Sequence, residues 1–107
     1  MGFLRVLVWI GALSVIAGPV LLSHAAADDK EDCRKGEGDT IAACTRLIEN
    51  RGESTRTRAL ASAYRGSAYS RNGDNDRAAA DLSEATRLDP TVAGAFAGSG
   101  LTFPGER

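Results

Sequence analysis

The sequence predicts an all-α protein built from helix–turn–helix pairs, and three observations predict it. Apolar residues recur at helical spacing in several segments, as at Ala78, Leu82, Ala85 and Leu88. Turn signals at Asn72-Gly73 and Asp89-Pro90 punctuate the chain at helix-length intervals. No segment alternates apolar and polar residues over a useful length, and β-branched residues are scattered, so no strand is expected.

The elements follow in order. Residues 28–38 are charged and glycine-containing, with room for one helical turn around Cys33. Asp39 or Thr40 is the expected cap of a helix running to about Asn50, with Gly52 as its left-handed exit. In it Ile41, Cys44, Leu47 and Ile48 fall at i, i+3, i+6 and i+7, so Cys44 points inward. Ser54 or Thr55 caps the next helix, which runs to about Arg71 and ends at Asn72-Gly73, two residues that tolerate positive φ. Asp74 or Asn75 caps the one after, where Arg77 with Asp81 and Glu84 with Arg87 form two expected surface pairs. Asp89-Pro90 stops that helix, because the residue before a proline avoids the α region. A last helix begins at Thr91 and carries Phe96, weakened by Gly94, Gly98 and Gly100 and ended by Pro104-Gly105.

The first 27 residues read as a secretory signal peptide. Arg5 is their one charge, residues 6–22 are almost wholly apolar, and Ala25-Ala26-Ala27 offers the small-x-small cleavage pattern before an acidic run. A bilayer span needs about 20 apolar residues, and Gly18-Pro19 interrupts this shorter run. Cleavage after Ala27 and export to a periplasmic or extracellular space are therefore expected, with membrane contact only through an uncleaved signal segment. Residues 28–107 then hold two more acids than cations and no histidine, since the single histidine is His24. That leaves no basic surface for nucleic acid and no histidine for acid–base chemistry or metal ligation.

The bulky core candidates are few: Ile41, Leu47, Ile48, Leu60, Leu82, Leu88, Val92, Phe96, Leu101 and Phe103. A domain this small and this poor in large apolar residues needs help beyond burial. Cys33 and Cys44, the two cysteines of the chain, read as a structural disulfide in an oxidising compartment. A metal site asks for more ligands than two thiols, and a redox pair usually has CxxC spacing.

Residues 59–92 carry the most specific pattern: Ser62-x2-Arg65-Gly66-x2-Tyr69, then Ala78-x3-Leu82, Ala85 and Pro90, in a 34-residue span. This resembles the tetratricopeptide repeat, whose signature is W-x2-L-G-x2-Y, then A-x3-F, an alanine and a closing proline. Gly66, Tyr69, Ala78, Ala85 and Pro90 match in type and spacing, and Leu82 replaces the phenylalanine. Ser62 and Arg65 depart from the pattern and weaken the large-residue contacts of the first helix. The resemblance implies that Gly66 and Ala78 let the paired helices approach, that Tyr69 and Leu82 fill the space between them, and that Ala85 makes room for the next unit. Pro90 sets the exit into it. The segments then divide as signal 1–27, a degenerate half-repeat with the cysteine pair 28–58, one complete unit 59–92, and a partial first helix 93–107. The fold implied is a short helical solenoid, similar to small exported repeat proteins of bacteria.

Such units act by contact with other proteins, and the resemblance places Leu60, Ala63, Ser67 and Arg71 along a concave groove. The family mode that grips a peptide carboxylate with lysine and asparagine does not transfer, because Ala63 and Ser67 cannot supply it and only Arg71 carries charge. No catalytic, cofactor or metal residue is expected. Gly36–Asp39 is not a phosphate loop, and Asp74 and Asp76 lack the later glycine and glutamate of a calcium loop. The expected partner is an unidentified protein or peptide. The alternative is a self-associating or truncated repeat protein, with Phe96, Leu101 and Phe103 partly exposed for a second copy.

Overall fold

The computed structural model describes residues 28–97, 103 and 104. The expected signal segment, Gly98, Gly100 and Leu101 lie outside the described residues. All regular structure of the described residues is helical: α1 (28–35), α2 (Thr40–Glu49), α3 (Thr55–Arg71), α4 (Asn75–Leu88) and α5 (Pro90–Ala97). Among the described residues there is no strand, and no helix is long and apolar enough to cross a membrane. α2 packs on α3, α3 on α4 and α4 on α5, and α3 also touches α5.

The helix ends follow from local chemistry. The Ser54 hydroxyl accepts the Thr57 amide at 3.0 Å and caps α3, and the Asp74 carboxylate accepts the Arg77 amide at 3.2 Å and caps α4. Gly73, at φ 83°, turns the chain between these two helices. At the start of α2, two expectations are corrected. Asp39 makes no side-chain cap, and Thr40 sits inside the helix with its hydroxyl donating back to the carbonyls of Asp32 and Cys33 at 2.8 and 2.9 Å. The exit from α2 is also not a left-handed Gly52. The helix ends at Glu49, and Asn50 turns the chain by accepting the Gly52 amide on its side chain. Nor does Asp89 only stop a helix. It caps α5 by accepting the Thr91 amide at 3.0 Å, with Pro90 in the first position, where its missing N–H costs nothing.

α1 is longer than the single turn expected around Cys33, because it is fastened along its length. The Cys33–Cys44 disulfide joins it to α2, and Arg46 grips Asp29 with three hydrogen bonds of 2.7 to 3.1 Å. The pairs 33–44 and 29–46 run in opposite chain directions, so α1 and α2 are antiparallel. The same holds for α2 and α3, where Arg65 reaches Thr45 and Arg58 reaches the Ile48 carbonyl.

The core is small-residue packing around a few anchors. Ala43, Ala59, Ala61, Ala63 and Ala85 are buried with Leu47, Leu60, Val92, Phe103 and both cysteines. Gly66 allows α3 and α4 to meet: a Cβ there would stand 3.2 Å from both the Ala78 carbonyl oxygen and the Asp81 Cβ. Gly66→Ala therefore sets a helix-propensity gain of about 1 kcal/mol against a larger overpacking cost. The expected outcome is a net loss of about 1 kcal/mol in urea unfolding, and an unchanged or raised midpoint would show that the two helices have slack.

The buried stripe of α4 is turned from the one expected. Ala78, Asp81 and Ala85 are buried, whereas Leu82 is 43% exposed. Leu82 therefore lies at the rim beside Gly66 and does not fill the space between the helices with Tyr69. Ser62, where the repeat pattern has its large aromatic, is fully buried, and its hydroxyl has no hydrogen-bond partner. An unsatisfied buried hydroxyl costs about 1–3 kcal/mol, so Ser62→Ala is expected to stabilise the protein by about 1 kcal/mol. Thermal unfolding reads it, and a lower midpoint in the variant would mean that the hydroxyl is bonded in solution.

Candidate interaction face

The face of α3 with Leu60, Ala63, Ser67 and Arg71 is the surface that the repeat pattern marks. Tyr64 shares it, four residues after Leu60. The structure closes one end of this face. Leu60 and Ala63 are 0% and 1% exposed, so they are core residues and not lining of an open groove. Tyr64 is half-buried with two rings against it: Phe96 of α5 edge-on at 5.7 Å and Phe103 tilted at 5.4 Å. Phe103 itself is 1% exposed, which corrects the expectation that it stays available at the surface; Phe96 is half-buried.

The other end stays open. Ser67 is half-buried and Arg71 is exposed, with its guanidinium donating to the Gly36 carbonyl at 3.0 Å beyond α1. Gly36 has φ 72°, and a Cβ there would lie 2.5 Å from Arg71 Nη2. The left-handed φ favours glycine at 36, and a Cβ there would push aside the flexible end of Arg71. This hydrogen bond ties the end of α3 to the loop that follows α1.

A charged cluster takes the place of the expected pair of Arg77 with Asp81. Arg65 grips Asp81 with two hydrogen bonds of 2.8 Å and donates a third to Thr45 at 2.9 Å, joining α2, α3 and α4. The hydrogen bonds that Arg65 donates to Asp81 raise its guanidinium pKa above the usual value, against the opposing effect of burial. Asp81 therefore does not pair with Arg77. Arg77 instead pairs with the cap residue Asp74 at 3.4 Å, and its guanidinium carbon lies 5.5 Å from the centroid of the Tyr69 ring. Arg65 lies 6.0 Å from the same ring. Tyr69 is thus half-buried beside two guanidinium groups. The Glu84–Arg87 pair forms as expected, and its hydrogen bond holds the Glu84 carboxyl below the usual carboxylate range.

One signal for the Arg65–Asp81 cluster was present in the sequence. Asp81 shares the inward stripe of α4 with Ala78 and Ala85, at i+3 from the first, and a buried carboxylate requires a cation. At the far end of α3, Arg56 donates to both Asp89 and Thr91 at the start of α5. The Thr91 hydrogen bonds, chiefly, hold the Asp89 carboxyl below its ordinary range. No family model, no curated protein and no solved structure matches the chain.

Proposed function

We propose that this chain is an exported module of the tetratricopeptide-repeat type that acts by protein–protein contact and performs no chemistry. One observation carries the reading. Arg56 meets Thr91 across 35 residues, and Arg71 meets the Gly36 carbonyl across the same interval. Both recur at nearly the 34-residue repeat of the sequence pattern, the first between the starts of α3 and α5 and the second between the end of α3 and the loop that follows α1. A helical solenoid places the first helices of successive units in this way, and it presents their shared side to a partner. The 28–58 segment then serves as the degenerate half-unit, 59–92 as the complete unit, and α5 as the first helix of the next. The Cys33–Cys44 bridge supports an oxidising compartment, and with the signal-like first 27 residues it favours the periplasm or the extracellular space.

The open part of the face, Ser67 and Arg71, is the contact surface in this reading. The test is crosslinked capture from the exported fraction with the natural chain and with the Ser67→Glu/Arg71→Glu double variant. A protein retained by the natural chain and reduced at least about 10-fold in the variant, a loss of about 1.4 kcal/mol, is the expected result. Equal retention by both chains rejects this face, and no protein enriched over the bare support rejects the contact function.

A further inference from the structure

Of the asparagines of the chain, Asn50, Asn72 and Asn75, only Asn72 is followed by glycine; Arg51 and Asp76 follow the other two. The difference is chemical. The side-chain carbonyl carbon of an asparagine lies one ring closure from the backbone nitrogen of the next residue, and glycine puts no side chain in the way of that closure. Asn72 and Gly73 are both exposed, so water and hydroxide reach them.

The same two residues form the joint between α3 and α4. The Gly73 amide, at φ 83°, donates to the Ser70 carbonyl at 3.0 Å, and the Asp74 amide donates to the Tyr69 carbonyl at 2.9 Å. These two bonds are a Schellman closure of α3. Asp74 then caps α4 with its side chain. Asn72 has ψ 0°, which turns the Gly73 nitrogen away from the Asn72 side-chain carbon. The closed turn thus opposes ring closure twice, by holding the nitrogen on Ser70 and by pointing it the wrong way.

We propose that Asn72 is a site of spontaneous modification, held back by this turn and released when the turn opens locally. In the open turn a base takes the Gly73 amide proton, and the nitrogen attacks Asn72 Cγ. A C–N bond forms, the Cγ–Nδ2 bond breaks, and the side-chain nitrogen takes up a proton and leaves as ammonia. Water then adds to the cyclic imide. Opening its bond to Cγ gives aspartate at 72. Opening its bond to the backbone carbonyl carbon gives isoaspartate, in which the main chain runs through the former side chain. No electrons are gained or lost. Both products place a negative charge at the C-terminus of α3, where the helix dipole disfavours it. Isoaspartate also lengthens the main chain by one methylene, so the amides of 73 and 74 lose register with the carbonyls of Ser70 and Tyr69. The reaction sets a chemical lifetime on the joint between the two helices that pack most extensively on each other.

The test incubates the purified chain at mildly alkaline pH, folded and in concentrated urea, with Asn72→Ser as the control. Peptide mapping by mass spectrometry follows the exchange of ammonia for water at each asparagine, and an isoaspartate-specific methyltransferase scores the isomer. Asn72 is expected to convert ahead of Asn50 and Asn75, and about 10- to 100-fold more slowly in the folded chain than in urea. The isoaspartate form, once separated, is expected to unfold at lower urea than the unaged chain, whereas aged Asn72→Ser keeps its midpoint. Equal rates in folded and unfolded chains overturn the proposal, because the turn then holds nothing back. A folded chain still intact at 72 after about 100 unfolded half-lives overturns it too, because the turn does not open. So does an isoaspartate form as stable as the unaged chain. No partner enters these readouts, so none of the failures touches the contact function.

Discussion

Removing the disulfide by Cys33→Ala/Cys44→Ala is expected to lower the unfolding midpoint by about 10–20 °C, the shift that a loss of about 3 kcal/mol makes in a domain of this size. The loop it closes spans 11 residues, so the loss comes mainly from the entropy returned to the unfolded chain. Both cysteines are buried, at 1% and 0% exposure, so their side chains also fill core volume. The remaining core cannot absorb the loss. Its buried members are mostly alanines, each removing little apolar surface from water, and single domains retain only about 5–15 kcal/mol in total. The damage is expected to be local first. α1 holds to α2 through Thr40 and Arg46 besides the bridge, so hydrogen exchange should rise in 28–49 before it rises in α3 and α4. A midpoint within about 3 °C of the natural chain, less than about 1 kcal/mol, would show that α1 is held without the bridge. Burial also shields the sulfur atoms, so a reductant is expected to act only when denaturant is present.

The all-α class and the ends of α3 and α4 were legible because their signals are local. Ser54, Asp74 and Gly73 act on amides and torsions within a few residues, and sequence displays them directly. Cys33 and Cys44 were legible because thiol chemistry and the expected compartment left few other roles. The misreadings share a different cause. Thr40 gave up capping because two carbonyls of α1 lay within reach, and Asp81 left Arg77 because Arg65 approached from another helix. Leu82 moved to the rim once Asp81 took the inward place on α4. Phe103 was expected at the surface because the ring it packs against, Tyr64 of α3, is distant in the sequence. Each of these depends on residues distant in the sequence, which helical periodicity does not encode.

Asp81→Ala is expected to cost about 3 kcal/mol, because it strands a charge where three helices meet. In the natural chain Arg65 spends its guanidinium on two bonds to Asp81 and one to Thr45, with its side chain 21% exposed and that of Asp81 9% exposed. Breaking such a pair from one side costs more than the pair contributes, since the partner stays desolvated without its counter-charge. Residual exposure lets water reach Arg65, which places the estimate at the low end of the 3–5 kcal/mol seen for fully buried pairs. Asp74→Ala makes a useful comparison, because its partner Arg77 is 69% exposed and only a cap is lost, about 1 kcal/mol. The double variant Arg65→Met/Asp81→Leu removes both charges, restores apolar contact, and is expected to recover more than half of the loss of Asp81→Ala. Urea unfolding of the three variants decides between the two accounts of this cluster. If Asp81→Ala and Asp74→Ala cost the same, the Arg65–Asp81 pair is effectively solvated. The joint of α2, α3 and α4 would then rest on its alanines and Gly66 alone.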